Sequence, residues 1–303
     1  MRLITPMKKH PIINSLAIGA IVSGLFTGFS NSNVYATTVN RTVKYKANNQ
    51  IYSESYQAET NARIKVPKGY SLKLISAAVR GKISKHNLTK IKKLSRKGAL
   101  NNHYADINPA DKRVVDITHL SKSDKVMLTK FTLGLVNQVR RQEGLPAWHY
   151  DSRVMSLAND IANEYTTHNR SICDRDHYFA GINRQAKRHG LASLHGNYQI
   201  YEDEAGIPFT SDENHMRSIK EIKEGLYYNI KQMIFGGYVN ENNNLSSYTE
   251  WGHASDLMSR RKKGVGIAFS YLKNDPRTIS VHLIVVANNS VLNYRTYNHM
   301  RKF

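Results

Sequence analysis

The sequence predicts an α+β protein built in layers, and three observations carry that reading. Helical periodicity runs through the middle of the chain, from Lys125 to Phe235. Two strand-like runs, 264–271 and 279–286, follow with a turn between them. No internal repeat links these parts, so helices and strands must cover one another.

In order, Arg2, Lys8 and Lys9 precede an uncharged, mostly apolar run from Ile12 to Phe29, and Val34-Tyr35-Ala36 suits a cleavage point. Residues 1–36 are therefore expected to be a signal peptide cut after Ala36. Thr37 to Tyr56 is polar, with few large apolar residues, and reads as a flexible lead-in. Val66-Pro67-Lys68-Gly69-Tyr70 is a turn before a short apolar run at Leu72, Leu74 and Ile75. In 82–97, Leu88, Ile91 and Leu94 can share one helical face, leaving Lys85, Lys90, Lys92, Lys93, Arg96 and Lys97 for a cationic one. Asp106 to Leu120 is a connector.

Met127, Phe131, Leu135 and Val139 then recur at fours along a helix that stops at Gly144 and Pro146. Val154, Leu157, Ala158, Ile161, Ala162 and Tyr165 mark a second helix, with Asp151 and Ser152 supplying its N-cap. A polar loop, 166–174, leads to a helix over 176–189 that ends at Gly190. Tyr198 to Glu202 reads as a short strand, and 205–212 as loop. Ile222, Leu226, Ile230 and Met233 or Ile234 share one side of a helix over 219–235, ended by Gly236-Gly237. Asn-rich 238–247 is a surface excursion and 251–258 a short helix. The two final runs, joined by Asn274-Asp275-Pro276, form an antiparallel hairpin.

The 303 residues carry 44 Lys+Arg against 23 Asp+Glu, a net +21, with a pI near 9.9 and a mean hydropathy of −0.52. These totals describe a globular chain attracted to polyanions, not a membrane bundle. Without residues 1–36 the balance is 41 to 23, or +18, and 37–120 alone holds 17 against 5, or +12. That basic stretch suits wall teichoic acid or anionic lipid headgroups. No nucleic-acid reader motif accompanies it. The single cysteine, Cys173, excludes an intramolecular disulfide, and with the export signal this fits a Gram-positive exporter. No Gly-x-Ser-x-Gly elbow, His-Glu-x-x-His helix or phosphate loop is present. Asp203 and Glu204 beside Glu202 lack the spacing of a calcium loop. His195 and His215 have no motif around them.

Asn137-Gln138-x-Arg140 with Gly144-Leu145-Pro146, then His177, Tyr201-Glu202-Asp203, Trp251-Gly252-His253 and Gly264-Val265-Gly266-Ile267, resemble the CAP superfamily. Within it the chain looks most like the bacterial PgrA-type surface exclusion proteins, which share the turn at Val66–Tyr70. The resemblance implies a CAP-like α-β-α sandwich over 121–290, preceded by a basic, partly helical region (37–120) and followed by a basic tail (291–303). It also implies a cleft lined by His177, Glu202 and His253, with His177 and His253 as ligands of a divalent metal such as zinc. The acidic residue that the family places in the helix before the last His has no counterpart, since the expected positions hold Asn229, Lys231 or Gln232. This ranks binding ahead of catalysis. The resulting expectation is a secreted or wall-associated protein acting by surface interaction, in surface exclusion or adhesion. It has no transmembrane helix after signal cleavage and, lacking a sorting signal at its end, is expected to be released or held by charge. The alternative is a metal-dependent hydrolase with Glu202 as base. No apolar loop of the kind a lipid carrier needs stands out.

Overall fold

The computed structural model describes residues 38–47, 50–174, 176–207, 215–239 and 244–300. The expected signal peptide and its cleavage point lie outside them. The elements are β1 (Thr38–Ala47), β2 (Gln50–Glu59), α1 (Leu72–Val79), α2 (Lys85–Asn101), β3 (Val114–Asp116), α3 (Lys122–Gln142), β4 (His149–Tyr150), α4 (Ser152–Thr167), α5 (Phe179–Arg188), β5 (Glu202–Ile207), β6 (Met216–Ser218), α6 (Ile219–Phe235), α7 (Gly252–Leu257), β7 (Lys262–Leu272), β8 (Asp275–Ala287) and α8 (Tyr294–His299).

The central sheet runs β4-β7-β8-β5, with β4 parallel to β7 and the other pairs antiparallel. Side chains alternate across β8, as a strand requires. Ile279, Val281, Leu283 and Val285 join a core with α3, α6 and α7; Ile284 and Val286 join a second core with α4, α5 and Tyr297 of α8. The sheet thus lies between two helical layers, the α-β-α sandwich expected. Gly266 explains how closely α4 can approach: a Cβ there would stand 2.6 Å from the Met155 backbone.

The Asn137–Pro146 motif holds the corner between α3 and α4. Asn137 donates to the Trp148 carbonyl at 2.9 Å and accepts from its amide at 2.8 Å. Buried Arg140 donates to the carbonyls of Pro146, Leu257 and Ser259 and stacks on the Trp148 ring. Gly144 turns the chain at φ +65°, where L side chains are strained.

Several local expectations are corrected. The stretch 37–56 falls mostly within the paired strands β1 and β2 and not in a flexible lead-in. The strand expected at 198–202 begins at Glu202 and takes in 205–207, because Gln199 caps its first residue: its Oε1 accepts from the amides of Tyr201 and Glu202. The buried stripe of α3 centres on Leu128, Thr132, Leu135, Val136 and Val139, while Met127 and Phe131 are half-buried at its margin. Residues 208–212 of the expected loop and 240–243 of the expected excursion lie outside the described residues.

Residues 60–120 do not stand apart from this body. Ile64, Tyr70, Ile75, Ile91, Ala99 and Ile117 sit in the same core as α3 and α6. Gln138 and Gln142 of α3 pair with the backbone of 62–66 through both ends of their amides. The terminal stretch likewise folds back: Tyr297 is buried and receives the Arg153 guanidinium on its ring.

Candidate functional site

The edge strand β5 begins with three consecutive buried carboxylates, Glu202, Asp203 and Glu204. Burying an ionised carboxylate is costly unless partners replace its water, so the partners define the site. Alternation sends Glu202 and Glu204 to the α4–α5 side, opposite Ile284 and His282 of β8, and Asp203 to the α6–α7 side, opposite Leu283.

Glu202 is fully engaged. Its Oε2 accepts from His177 Nδ1 at 2.7 Å and from the Tyr165 hydroxyl at 2.6 Å; its Oε1 lies 2.7 Å from His282 Nδ1. The other His282 nitrogen, Nε2, lies 2.7 Å from the Ser270 hydroxyl. Burial alone would raise the Glu202 pKa, but the two histidines outweigh it and bring it to about 2. His177 shows the reciprocal effect: burial disfavours its charge, and the Glu202 hydrogen bond more than compensates, raising its pKa.

Glu204 is the contrast. Tyr165 Oη is 3.3 Å from its Oε2, but the single hydroxyl proton already serves Glu202, and Oη itself accepts from the Tyr178 amide. Glu204 Oε1 is buried with no hydrogen-bond partner among the described residues. Burial, and then the charge of Glu202, push its pKa up to about 7. His177, Glu202 and Glu204 each offer a ligand atom within 4.8 Å of the others. One imidazole and two carboxylates form a donor set that zinc accepts, and the unsatisfied Glu204 oxygen fits such a group.

His253 lies at the start of α7, on the other side of β5. Its Nδ1 is 2.8 Å from Asp203 Oδ1, and Glu250 is nearby at 3.9 Å. Burial would lower its pKa, but the Asp203 hydrogen bond and the charges of Glu250, Asp203 and Asp256 raise it to about 9. Its charge reaches His177 and opposes charging there. Of the three cleft residues read from the sequence, His177 and Glu202 are therefore in direct contact, while His253 is bonded to the intervening carboxylate. Both imidazoles keep about a quarter of their side-chain surface exposed.

Sequence reasoning passed over Glu204, Asp203, Tyr165 and His282 as site residues. The signal for His282 was an imidazole in an otherwise apolar strand, at a position where both neighbours in the pleat face a core. On α6, Glu221 is committed to the capping box with Ser218, Glu224 accepts from the Asp106 amide, and Asn229 holds the Gly206 carbonyl of β5. Cys173 is exposed. On α2, Lys85, Lys90, Lys93 and Lys97 are exposed and Lys92 and Arg96 half-buried, opposite buried Ile91, Ser95, Gly98 and Ala99.

An α-β-α sandwich with a His–carboxylate cluster on its edge strand has known counterparts. The family profile described as the cysteine-rich secretory protein family, CAP, matches residues 133–288, and the chain belongs to that family. Among solved structures, a chain titled as the CAP domain of Enterococcal PrgA has a TM-score of 0.60 at 22% identity, covering 77% of this chain and 88% of that one. That likeness is one of fold. No curated protein matches the chain. No helix among the described residues is long and apolar enough to cross a membrane.

Proposed function

We propose that this CAP-domain protein acts outside the cell by binding: the outer face of α2 holds wall polyanions or another anionic cell-surface component, in a role of the surface-exclusion or adhesion kind. The observation that supports this best is the exposure of four lysines on that face. None of Lys85, Lys90, Lys93 and Lys97 has an ion-pair partner among the described residues, and the helix contains no acidic residue. Four solvated ammonium groups on one side of a rigid helix attract a polyanion, with an affinity that falls as salt rises. The test is retention of the purified protein on isolated Gram-positive walls, with and without teichoic acid, and on vesicles containing anionic lipid. Retention on teichoic acid-bearing walls should be steeply salt-dependent and lost when the four lysines become glutamine. Equal retention of that variant overturns the reading.

The cleft on the α4–α5 side is read as a divalent-cation centre built on His177, Glu202 and Glu204, in which His177 and Glu204 meet the cation, Glu202 orients His177, and the neighbouring His253 stays outside the ligand set. When bound, such a cation neutralises the buried Glu204 carboxylate and can present a ligand position to a partner. Titration with zinc by calorimetry checks this, and Glu204→Gln should lose most of the affinity.

One observation favours a second reading, hydrolysis. Two carboxylates side by side, with one pKa near 2 and the other near 7, are the pattern of an acid–base pair at neutral pH. A zymogram panel against peptide and phosphodiester substrates decides between them. Activity lost in both Glu204→Gln and His177→Ala supports hydrolysis, and inactivity of the wild type removes it.

A further inference from the structure

Behind Glu202 lies a hydrogen-bonded chain that reaches the interior of the sheet. His282 is 0% exposed and Ser270 1% exposed, and Ser270 Oγ, His282 and Glu202 are linked by two contacts of 2.7 Å. The order hydroxyl–imidazole–carboxylate is that of a nucleophile with its base, but this hydroxyl is sealed between β7 and α4 and cannot meet a substrate. Its direction is outward: the far end of the chain is Glu202 Oε2, which takes the Nδ1 proton of His177. The strands leave room for it. Ala268 stands opposite His282, and Ser270 lies diagonally beyond on the same face. The Tyr165 ring packs 4.5 Å from the imidazole and sends its hydroxyl to the same Glu202 oxygen as His177.

We propose that Ser270 and His282 are positioning residues for His177. They fix Glu202 by its Oε1, so that Oε2 holds His177 with Nδ1 protonated and Nε2 as the nitrogen offered to a ligand. A ligating imidazole needs its second nitrogen held in this way, and loss of such a support typically weakens metal binding about 10–100-fold. Glu202 then serves chiefly as the orienting carboxylate, and Glu204 as the carboxylate that meets the ligand. The idea builds on the cation reading of the cleft, but it also makes a claim about the metal-free protein.

The experiment compares the full chain with Ser270→Ala and His282→Gln, after circular dichroism establishes that each is folded. Two quantities are read: zinc affinity by calorimetry, and the tautomer of His177 from long-range nitrogen NMR of the metal-free protein at alkaline pH. The wild type should show His177 protonated at Nδ1. Both variants should show a mixture of tautomers and bind zinc at least about tenfold more weakly. Variants with wild-type tautomer and affinity overturn the proposal. If His282→Gln does not fold, Ser270→Ala carries the decision alone, since it removes one hydroxyl and leaves the ring in place. If the wild type binds no zinc, the cation reading fails, and the tautomer comparison still decides whether Ser270 and His282 position His177.

Discussion

One oxygen of the buried Glu204 carboxylate has no hydrogen-bond partner among the described residues, and this sets how the group titrates. Glu204 has a folded-state pKa of about 7 against an ordinary 4.5, so the group favours the fold when protonated. Its contribution is present below pH 4.5 and is lost as pH rises through 7. Glu204→Gln should remove that loss and raise the melting temperature of the metal-free protein at pH 8, by roughly 2–4 °C per kcal/mol relieved. The same variant should show no zinc-dependent rise in melting temperature; such a rise would place the ligand elsewhere. His253 is raised in turn, from 6.5 to about 9, because Asp203 and its acidic neighbours outweigh burial. Its contribution is complete below pH 6.5 and disappears as pH climbs through 9. Melting curves of His253→Gln in chelator should therefore be flatter than wild type across that window, and curves parallel to wild type would show that the Asp203 contact contributes nothing. Which of these residues could be read in the sequence follows from what fixes them. His177 and Glu202 stand in motifs whose order along the chain survives translation into space. Glu204 and His282 matter because β5 and β8 pair in one register, and nothing local specifies a register between strands some eighty residues apart.

The elements themselves were legible wherever burial is one-sided. The stripe Val154 to Tyr165 of α4 is buried as its spacing requires, and the β7–β8 hairpin forms where the β-branched runs stand. Legibility failed where two surfaces claim one element. The helix α3 is covered by the sheet, by α6 and by the segment 62–66, so its buried positions exceed the single stripe of Met127, Phe131, Leu135 and Val139. The start of β5 was misplaced because three acidic residues do not look like a strand; their partners are supplied by tertiary contacts alone. Gly266 shows a motif with a packing cause: α4 passes so close to β7 that a methyl group would meet the Met155 backbone. Gly266→Ala should destabilise the fold by about 1–3 kcal/mol, the usual cost of an overpacked core, measured as a lower midpoint in urea. An unchanged midpoint would mean that α4 can lift off the strand freely, which would also loosen Tyr165 from Glu202.

At the scale of the whole molecule, charge and core divide the chain differently. The net charge of +12 in 37–120 marks that stretch as distinct from the rest, and a reading by composition separates it at residue 120. Apolar burial does not follow that line. Ile75, Ile91 and Ile117 are almost inaccessible, packed with Leu226, Ile230 and Phe235 of α6 in one core. The Trp251 indole donates to Ser95 of α2 at 3.1 Å, and the Tyr70 hydroxyl donates to the Ile234 carbonyl. The basic helix is thus a wall of the folded body, and its inner face is committed. Removing residues 1–120 would expose the apolar sides of α3, α6 and α7 together, an area far larger than a scatter of single surface residues. A fragment beginning at Ser121 should therefore bind a hydrophobic dye, lose a sharp thermal transition and aggregate, whereas a chain beginning at residue 37 should unfold in one cooperative step. A cooperative, monomeric fragment from 121 would show that the first layer is dispensable. The lysines of α2 would then belong to a separable module, and the cleft on β5 should keep its zinc affinity in the fragment.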